Sequence, residues 1–261
     1  MKDLLQIHEV EVVIPRLPAG LDGLRIIHLS DWHFRGRPQP VDAALADALN
    51  ATAADLLVFT GDAVNHADYW PVAQTWWSSI RQTAHRFAVP GNWDHVRGNT
   101  SERFTEQMAT AGFTTLINRT CEWEQAGGRL RIAGLDDLQQ GQPDPGGAGL
   151  DGPHEAFTLL LAHHPDVLLA NPLHFDLLLS GHTHGGQIRL PGLGAPVRHT
   201  RQGAAFVQGL VRLPRQRYVY ISRGIGTGLL KLRLNCPPEL PVIVLRCPAK
   251  PEPSCLDVIS F

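Results

Sequence analysis

Residues 175–186 read Phe-Asp-Leu-Leu-Leu-Ser-Gly-His-Thr-His-Gly-Gly, a short apolar run that leads into two histidines. An apolar run of this length bounded by Ser-Gly is typical of a buried strand, and the glycines after it indicate a loop. His182 and His184 lie two residues apart just beyond this strand, so two imidazoles can reach one point. Gly185 and Gly186 leave room for a ligand or another backbone to approach. An isolated pair of this kind is as often two polar loop residues as a ligand pair.

Three predicted strands upstream end in residues of the same kind. The helical spacing of Val41–Ala53, between the first two of these strands, indicates a βαβ unit with parallel pairing. The strands and the residues that follow them are Leu24–Ser30 with Asp31 and His33, Asp55–Thr60 with Asp62, and Arg86–Val89 with Asn92. Asp31 and His33, two apart on extended chain, are expected to point the same way. Because open α/β sheets place their sites at the carboxyl ends of strands, we expect all four side chains at one sheet edge.

The rest of the chain continues the alternation of strands and helices. Residues 139–153 are rich in Gly, Pro and Gln and predict a loop, but the strand pattern resumes after them, which predicts a single domain over residues 1–261 with a core at about 24–245. Phe157–Ala162 predicts a buried strand that presents His163. Further helices are predicted at 71–81 and 101–111, further strands at 114–117 and 130–133, and antiparallel strands at 204–211, 218–222 and 242–245.

Composition excludes several classes of protein. The 261 residues are 43% hydrophobic and 18% charged, with a net charge of −2 and no block of like charge, which argues against a general nucleic-acid binder. The cysteines (Cys121, Cys236, Cys247 and Cys255) form no CxxC pair, so neither a disulfide framework nor a thiolate zinc site is expected. Residues 1–9 show neither a signal-peptide core nor a long apolar span, which predicts a cytoplasmic location.

Taken in order, the strand-end residues form the pattern DxH…GD…GN…H…GHxH, which resembles the calcineurin-like metallophosphoesterases from Leu24 to about Leu245. Each fragment is a weak signal, but the combination is specific. Secondary features resemble a bacterial branch that includes phosphodiesterase-like proteins and enzymes that cleave the pyrophosphate of UDP-2,3-diacylglucosamine. They are Leu-Ala-His163-His164-Pro-Asp, Gly-His-Thr-His-Gly-Gly-Gln187-Ile188, Arg223-Gly-Ile-Gly-Thr-Gly and Asn235-Cys-Pro-Pro-Glu239.

The resemblance implies an α/β fold, a four-layer α-β-β-α sandwich of two mixed sheets, with two divalent metal ions. One ion would be held by Asp31, His33 and His184, the other by Asn92, His163 and His182, and Asp62 would bridge both. A carboxylate can use its two oxygens on two cations, whereas an imidazole offers one lone pair. Oxygen and nitrogen ligands without thiolate favour Mn, Fe or Zn over Ca. The implied reaction is hydrolysis of a phosphoric ester, most simply a phosphodiester or pyrophosphate bond, by a metal-activated hydroxide.

Charge supports a phosphate substrate. Two divalent ions against Asp31 and Asp62 leave the ligand shell near +2, which an anionic phosphate oxygen would complete. The expected partner is therefore a phosphate-ester small molecule or a nucleotide-linked lipid, with no nucleic acid indicated. A peripheral membrane contact through an apolar loop stays open, and the sequence does not indicate an oligomeric state.

One position departs from the resemblance. The family motif usually reads Gly-Asn-His-Asp, and its His contacts phosphate and can protonate the leaving group, but here that position is Trp93. An indole donates a hydrogen bond and cannot transfer a proton at neutral pH. His95, two residues on, is the candidate replacement acid, with a solvated loop histidine as the alternative. Good leaving groups would suffer least from a missing acid.

Other residues near the predicted site have an ordinary explanation. Arg35 and Arg97 are candidates for binding phosphate, as are Arg37, Arg198 and Arg201, although each alone is more often a solvated charge. His164 is expected to play a supporting or structural role, and His28 to be a core histidine with satisfied hydrogen bonds.

Two other functions fit parts of the pattern. A barrel amidohydrolase also uses an HxH pair, but near its first strand, whereas here DxH comes first and HxH last. A non-catalytic family member that binds metal or phosphate and acts through a partner is supported by Trp93 alone, because all seven ligand positions are intact.

Overall fold

Two six-stranded sheets form the centre of the structure, a computed structural model that describes residues 5–170, 173–228 and 230–249. With strands numbered along the chain, the first sheet contains, in spatial order, β1 (Gln6–Val13), β12 (Glu239–Arg246), β2 (Arg25–Leu29), β3 (Leu56–Phe59), β4 (His85–Ala88) and β5 (Phe113–Thr115). The second contains β10 (Gly209–Leu213), β11 (Arg217–Ile221), β9 (Leu177–Ser180), β8 (Phe157–Leu161), β7 (Gly128–Gly134) and β6 (Arg119–Gln125).

Four layers result from the way apolar residues alternate along the strands. The outward-facing residues Ile27 and Leu57 of the first sheet pack against the helices α1 (Pro40–Ala51), α2 (Trp70–Trp77) and α3 (Ser101–Thr110). Their neighbours Ile26 and Leu56 face the second sheet and pack against residues such as Leu159 and Leu177. Successive strand residues point to opposite faces, so each short apolar strand serves two cores at once. The predicted α/β sandwich is confirmed.

The outer layer of the second sheet is thinner than a helical layer. Only one short helix, α4 (Val167–Ala170), covers it within the described residues. The rest of the cover comes from the Gly- and Pro-rich segment predicted as a loop, whose Ala148 and Leu150 are buried against Leu160 and Leu178. Turns and one short helix thus close the third core.

The parallel strands β2, β3, β4 and β5 place their carboxyl ends at one edge of the first sheet. Leu29 aligns with Phe59, and Phe59 aligns with Ala88, so these three strands end level with one another. In the second sheet β8, β9 and β11 are also parallel, with Leu161 beside Leu179. The loops that leave these strands carry the residues predicted to form the site.

The C-terminal strands differ from the prediction. Residues 204–206 form a 3₁₀ turn, and the strand begins only at Gly209. Strand β11 is antiparallel to β10 but parallel to β9. Strand β12 leaves the second sheet and inserts between β1 and β2 of the first, parallel to β1 and antiparallel to β2. Strand β6 was not predicted from the sequence; it is an edge strand of half-exposed, mostly polar residues.

Some predictions fall at the edge of what the structure describes. Met1–Leu4, Cys255 and the two ends of the predicted domain lie outside the described residues. Cys121, Cys236 and Cys247 are free thiols. Among the described residues, none of the helices is long and apolar enough to cross a bilayer.

Strand β12 generates a stability prediction. Ile243 is fully buried between the sheets and pairs with Val10 and Ile26, whereas Ile7 on the neighbouring strand is 52% exposed. We expect Ile243→Ala to lower the free energy of unfolding by about 2–4 kcal/mol, because it removes buried methyl groups and leaves a cavity. Ile7→Ala should change it by about 0.5 kcal/mol or less. Equal effects of the two substitutions in denaturant titrations would contradict this placement of β12.

Candidate metal centre

The seven predicted ligands converge where the carboxyl ends of the two sheets meet. Asp31, His33, Asp62 and Asn92 follow strands of the first sheet, and the three histidines follow strands of the second. Asp31 and His163 are fully buried, and His33, Asp62 and His184 are nearly so. The two sheets therefore bring residues more than 150 positions apart into one buried cluster.

One group of possible ligand atoms consists of Asp31, His33 and His184. Their oxygen and nitrogen atoms all lie within 4.8 Å of one another. Nε2 of His33 lies 3.1 Å from Nε2 of His184, which in turn is 3.4 Å from Oδ1 of Asp31. Ring nitrogens that face each other and a carboxylate at these distances are arranged as ligands around a common point.

The second group adjoins the first through Asp62. The atoms of Asp31, Asp62 and His163 lie within 4.8 Å of one another. Oδ1 of Asn92 is 3.2 Å from Nε2 of His163 and 3.1 Å from Nδ1 of His182. Oδ2 of Asp62 is 3.2 Å from Nε2 of His33 and 3.4 Å from Nε2 of His163, so a single oxygen of Asp62 reaches both groups.

Hydrogen bonds outside the cluster orient two of the imidazoles. Nδ1 of His163 donates to the carbonyl of Thr60 at 2.7 Å, and Nδ1 of His33 donates to Oδ1 of Asn65 at 2.8 Å. In both rings this directs the Nε2 atom at the site, as in metal-binding histidines. No motif pointed to the roles of Asn65 and the Thr60 carbonyl.

Electrostatics also favour cations here. The two buried carboxylates have only histidines within 4.0 Å among basic groups of the described residues. Burial raises the pKa of Asp31. Burial opposes ionisation of Asp62 as well, but the imidazoles of His163 and His33 outweigh it and hold its pKa well below the usual range. Burial likewise disfavours the charged form of His163, yet the Asp62 carboxylate keeps its pKa well above the usual range.

The pKa values of the other two histidines, His182 and His184, are shifted in the opposite direction. Burial, reinforced by the neighbouring His163, lowers the pKa of His182, and burial together with His33 lowers that of His184. Neutral imidazoles are the form that binds metals. Protons on His33 and His163 are the nearest positive charges to the carboxylates, and divalent ions in the same place would balance them without those protons. The residues present thus fit a pair of divalent cations.

Backbone strain accompanies the cluster. Five of the seven predicted ligands have left-handed backbone angles, which non-glycine residues rarely adopt; they are Asp31, His33, Asp62, His182 and His184. The expectation that Asp31 and His33 lie on extended chain is therefore wrong, because β2 ends at Leu29 and both residues have φ near +50°. Each such angle costs about 1–2 kcal/mol and persists only where the surrounding structure enforces it.

Asp94 is a supporting residue to which the sequence pattern assigned no role. It is fully buried, and its carboxylate accepts from the backbone N–H groups of Asp62 at 2.7 Å, Gly91 at 2.9 Å and Ala63 at 3.0 Å. Burial, together with the nearby Asp62 carboxylate, raises its pKa to about 7. The available signal was its place in the Gly-Asn-Trp-Asp motif. Asp94 fixes the loop after β3 to the loop after β4, and so fixes Asp62 relative to Asn92.

The predicted acid His95 and the predicted phosphate-binding residues Arg35 and Arg97 have different surroundings. Nε2 of His95 lies 2.9 Å from Oδ1 of Asp136, outside the set of residues that line the cavity at the cluster. Burial lowers the pKa of His95, but Asp136 outweighs this and raises it overall. Arg35 donates to the carbonyls of Thr227 and Gly228 at 2.8 and 2.9 Å, so it stabilises the glycine-rich segment 223–228. Arg97 stacks over the Trp93 ring at 4.2 Å.

His28 and His164 also differ in their surroundings. His28 is fully buried with Nε2 2.8 Å from Oγ1 of Thr60, while Nδ1 has no partner in the described residues. Burial lowers its pKa to about 3, so it is a neutral core histidine. The His164 ring packs against that of His182 with centroids 3.9 Å apart, which supports the ring from outside the cluster.

A cavity of about 650 Å³ opens from the cluster. Asp62, Asn92, His182 and His184 line its floor. Its walls are largely apolar and include Trp93 and the predicted Arg97. They also include residues to which the sequence assigned no role; these are Val96, Gln139, Gln140, Ile188, Pro196, Val197, His199 and Leu230. A cavity of this size can accept a phosphate with an apolar or aromatic substituent.

Comparisons with known proteins identify similar chains. A model of the calcineurin-like phosphoesterase family matches residues 24–186. The chain is 33% identical over 236 residues to the uncharacterized metallophosphoesterase YkuE of Bacillus subtilis, covering 88% of this chain and 82% of that protein. It is 34% identical over 239 residues to the phosphodiesterase YaeI of Escherichia coli, covering 85% and 82%.

More distant proteins also match most of this chain. The chain is 25% identical over 305 residues to the UDP-2,3-diacylglucosamine pyrophosphatase LpxG of Chlamydia muridarum, covering 95% of this chain and 91% of that protein. The structure of Haemophilus influenzae NAD nucleotidase superposes with a TM-score of 0.51 at 14% identity, over 77% of this chain and 45% of that one. This last likeness concerns the fold alone.

Gly91 generates a prediction about metal affinity. Its backbone angles suit any residue, but a methyl group there would overlap the Asp62 carboxylate and lie 2.9 Å from Cε1 of His163. We expect Gly91→Ala to fold and to bind Mn²⁺ about 10–100-fold more weakly, as for other residues that support metal ligands. Gly152→Ala is the matched control, because nothing lies within 4 Å of its added carbon. Equal Mn²⁺ affinities of the two variants would refute this packing.

Asp62→Ala should abolish occupancy at both positions. Its loss would leave two cations facing each other without a shared anion, so elemental analysis of the purified variant should show neither ion. Asp68→Ala is the control, since that carboxylate is 83% exposed and pairs with His66. Undiminished metal in Asp62→Ala would rule out a bridging role.

Proposed function

This chain belongs to the calcineurin-like phosphoesterase family and is a metal-dependent phosphoesterase, and on that premise we propose that it hydrolyses a phosphodiester or pyrophosphate bond with two divalent ions. The observation that carries the proposal is the position of Asp62 Oδ2, within 3.4 Å of imidazoles from both ligand groups. Similarity to a phosphodiesterase and to pyrophosphatases favours an enzyme over the non-catalytic alternative.

In this proposal one ion is held by Asp31, His33 and His184. The other ion is held by Asn92, His163 and His182, and Asp62 binds both ions. A carboxylate oxygen of Asp31 also lies within 4.8 Å of ligand atoms of Asp62 and His163, so the Asp31 carboxylate borders both positions. The donor set suits Mn, Fe or Zn. When bound, such a pair supplies Lewis acidity toward phosphoryl oxygens and an activated water. Backbone hydrogen bonds from His182 to both Asp31 oxygens, at 3.0–3.1 Å, keep that carboxylate directed into the site.

The cavity wall supports a substrate with an apolar or aromatic part. Trp93 lines the cavity with its ring perpendicular to that of His33 and centroids 5.4 Å apart, and the Arg97 guanidinium lies over the indole at 4.2 Å. We assign Arg97 to the phosphate or to a nucleotide base, because a guanidinium binds phosphate oxygens and stacks on planar rings. Arg35 is the weaker candidate, because its donors already bind Thr227 and Gly228.

His95 is proposed as the proton donor to poor leaving groups. Its pairing with Asp136 raises its pKa, which keeps the ring protonated toward neutral pH, as a general acid requires. Because His95 does not line the cavity, the transfer would run through water. The alternative role is structural, since the pair ties the loop after β4 to the loop after β7.

A substrate panel tests the bond that is cleaved. With Mn²⁺ present, we expect diesters and pyrophosphates to be hydrolysed at least about tenfold faster than alkyl monoesters. Alkyl leaving groups depend most on a general acid, and Trp93 cannot supply the proton. Measurement of kcat/KM for bis-p-nitrophenyl phosphate, a nucleotide-diphosphate lipid and an alkyl phosphate decides it. A preference for the alkyl monoester would overturn the proposal.

The leaving group tests His95. His95→Ala should slow a diester with a poor alcohol leaving group by about 10²–10⁴-fold and leave release of p-nitrophenolate nearly unchanged. Trp93→His should restore the slow substrate in that background. Asp136→Asn should shift the decline in rate at high pH to lower pH, because it removes the carboxylate that raises the His95 pKa. Equal slowing of both substrates in His95→Ala would assign the residue to structure instead.

A further inference from the structure

The charges of this chain are distributed unevenly along its length. Nine of the 23 Lys and Arg residues, and none of the 25 Asp and Glu residues, lie between Leu177 and Pro238. The net charge of −2 therefore conceals a basic segment and an acidic remainder. A uniformly basic segment indicates an anionic partner.

Exposed apolar side chains concentrate in the same segment. Besides Leu210 on β10, six large hydrophobic residues there have exposures between 38% and 77%; they are Leu190, Leu193, Val197, Leu230, Leu232 and Leu234. They fall in residues 188–198 and 230–235, which we call the leucine surface. A cluster of exposed leucines in a soluble fold marks a binding surface.

Hydrogen bonds hold the two parts of the leucine surface side by side. The N–H of Arg189 donates to the carbonyl of Leu234 at 2.9 Å, and the N–H of Leu234 donates to the carbonyl of Gln187 at 3.0 Å. Residues 190–194 form a tight hairpin closed by hydrogen bonds of 2.8 and 2.9 Å between Leu190 and Gly194, with Leu193 next to the tip. At 77% exposure Leu193 is the most prominent apolar side chain of the surface.

The second part alternates between inward and outward residues. The Arg233 guanidinium points inward and donates to the carbonyls of Arg223 at 2.6 Å and Gly224 at 3.2 Å. Its neighbours Leu232 and Leu234 are 57% and 43% exposed, and Lys231 is exposed as well. Two leucines and a cation thus face solvent together.

The leucine surface is continuous with the cavity of the metal centre. Ile188, Pro196, Val197 and Leu230 belong to the surface and also line the cavity that contacts Asp62 and His182. A hydrophobic group buried against the surface would therefore lie beside the path to the site.

We propose that the leucine surface docks on an anionic lipid bilayer, with the leucines in the interfacial region and the exposed Arg198 and Lys231 against lipid headgroups. Apolar side chains flanked by cations without acids are the chemistry of interfacial binding. A second copy of the chain is a poor match, because the surface offers no carboxylate to its own cations. The inference takes from the proposed function only the identity of the adjoining site.

The test is co-sedimentation of the whole protein with vesicles of phosphatidylcholine, with and without phosphatidylglycerol. Wild type should bind the anionic vesicles, and more weakly as salt is added. Leu193→Gln/Leu232→Gln should lower the partition coefficient at least about tenfold, because two leucines no longer enter the interface. Arg198→Gln and Lys231→Gln should each lower it about fivefold.

A matched control separates the leucine surface from exposed apolar residues in general. Ile7→Gln/Leu210→Gln replaces two side chains that are 52% and 41% exposed and lie outside it, and should leave vesicle binding unchanged. The leucine variant, Lys231→Gln and the control should hydrolyse bis-p-nitrophenyl phosphate at the wild-type rate, a readout that tests the proposed function separately. Three outcomes would overturn the inference: no binding to anionic vesicles, equal loss in the control, or a lipid-free dimer that the leucine substitutions dissociate.

Discussion

Two buried carboxylates, Asp31 and Asp62, set the central constraint of this structure. Charge inside a protein is costly unless it is balanced, and here the nearest basic side chains are the imidazoles of His33 and His163 beside Asp62 and of His184 beside Asp31. The strands that end in these carboxylates belong to one parallel set, whereas the imidazole of His163 comes from the other sheet. Balancing the charge therefore requires both sheets, and the sandwich and the site depend on the same contacts.

Backbone strain is placed at the same point. The left-handed angles of Asp31 and Asp62 direct side chains off their strand ends into the gap between the sheets. Asp94 holds the second of these turns by accepting the Asp62 N–H, and it is itself buried. Burying a carboxylate that accepts from three backbone N–H groups costs free energy, which is consistent with a turn that the local sequence alone would not adopt.

The sequence predicted the parallel core and the ligand cluster because both follow from short-range patterns. Apolar runs such as Leu56–Phe59 end abruptly in Gly-Asp, and parallel pairing then brings the ends together. What it could not predict depends on contacts between distant residues. The insertion of β12 between β1 and β2 is one such contact, and the pairing of His95 with Asp136 is another. No local sequence signal predicts the left-handed backbone angle at Asp31, because aspartate adopts extended backbone angles more often than left-handed ones.

The most direct test of the two-metal site is calorimetric titration of Mn²⁺ into chelator-treated protein. Two ions per chain are predicted, with protons released on binding as His33 and His163 give up theirs. Binding of a single ion, or of two ions without release of protons, would contradict the assignment of these carboxylates and imidazoles to a shared dinuclear centre.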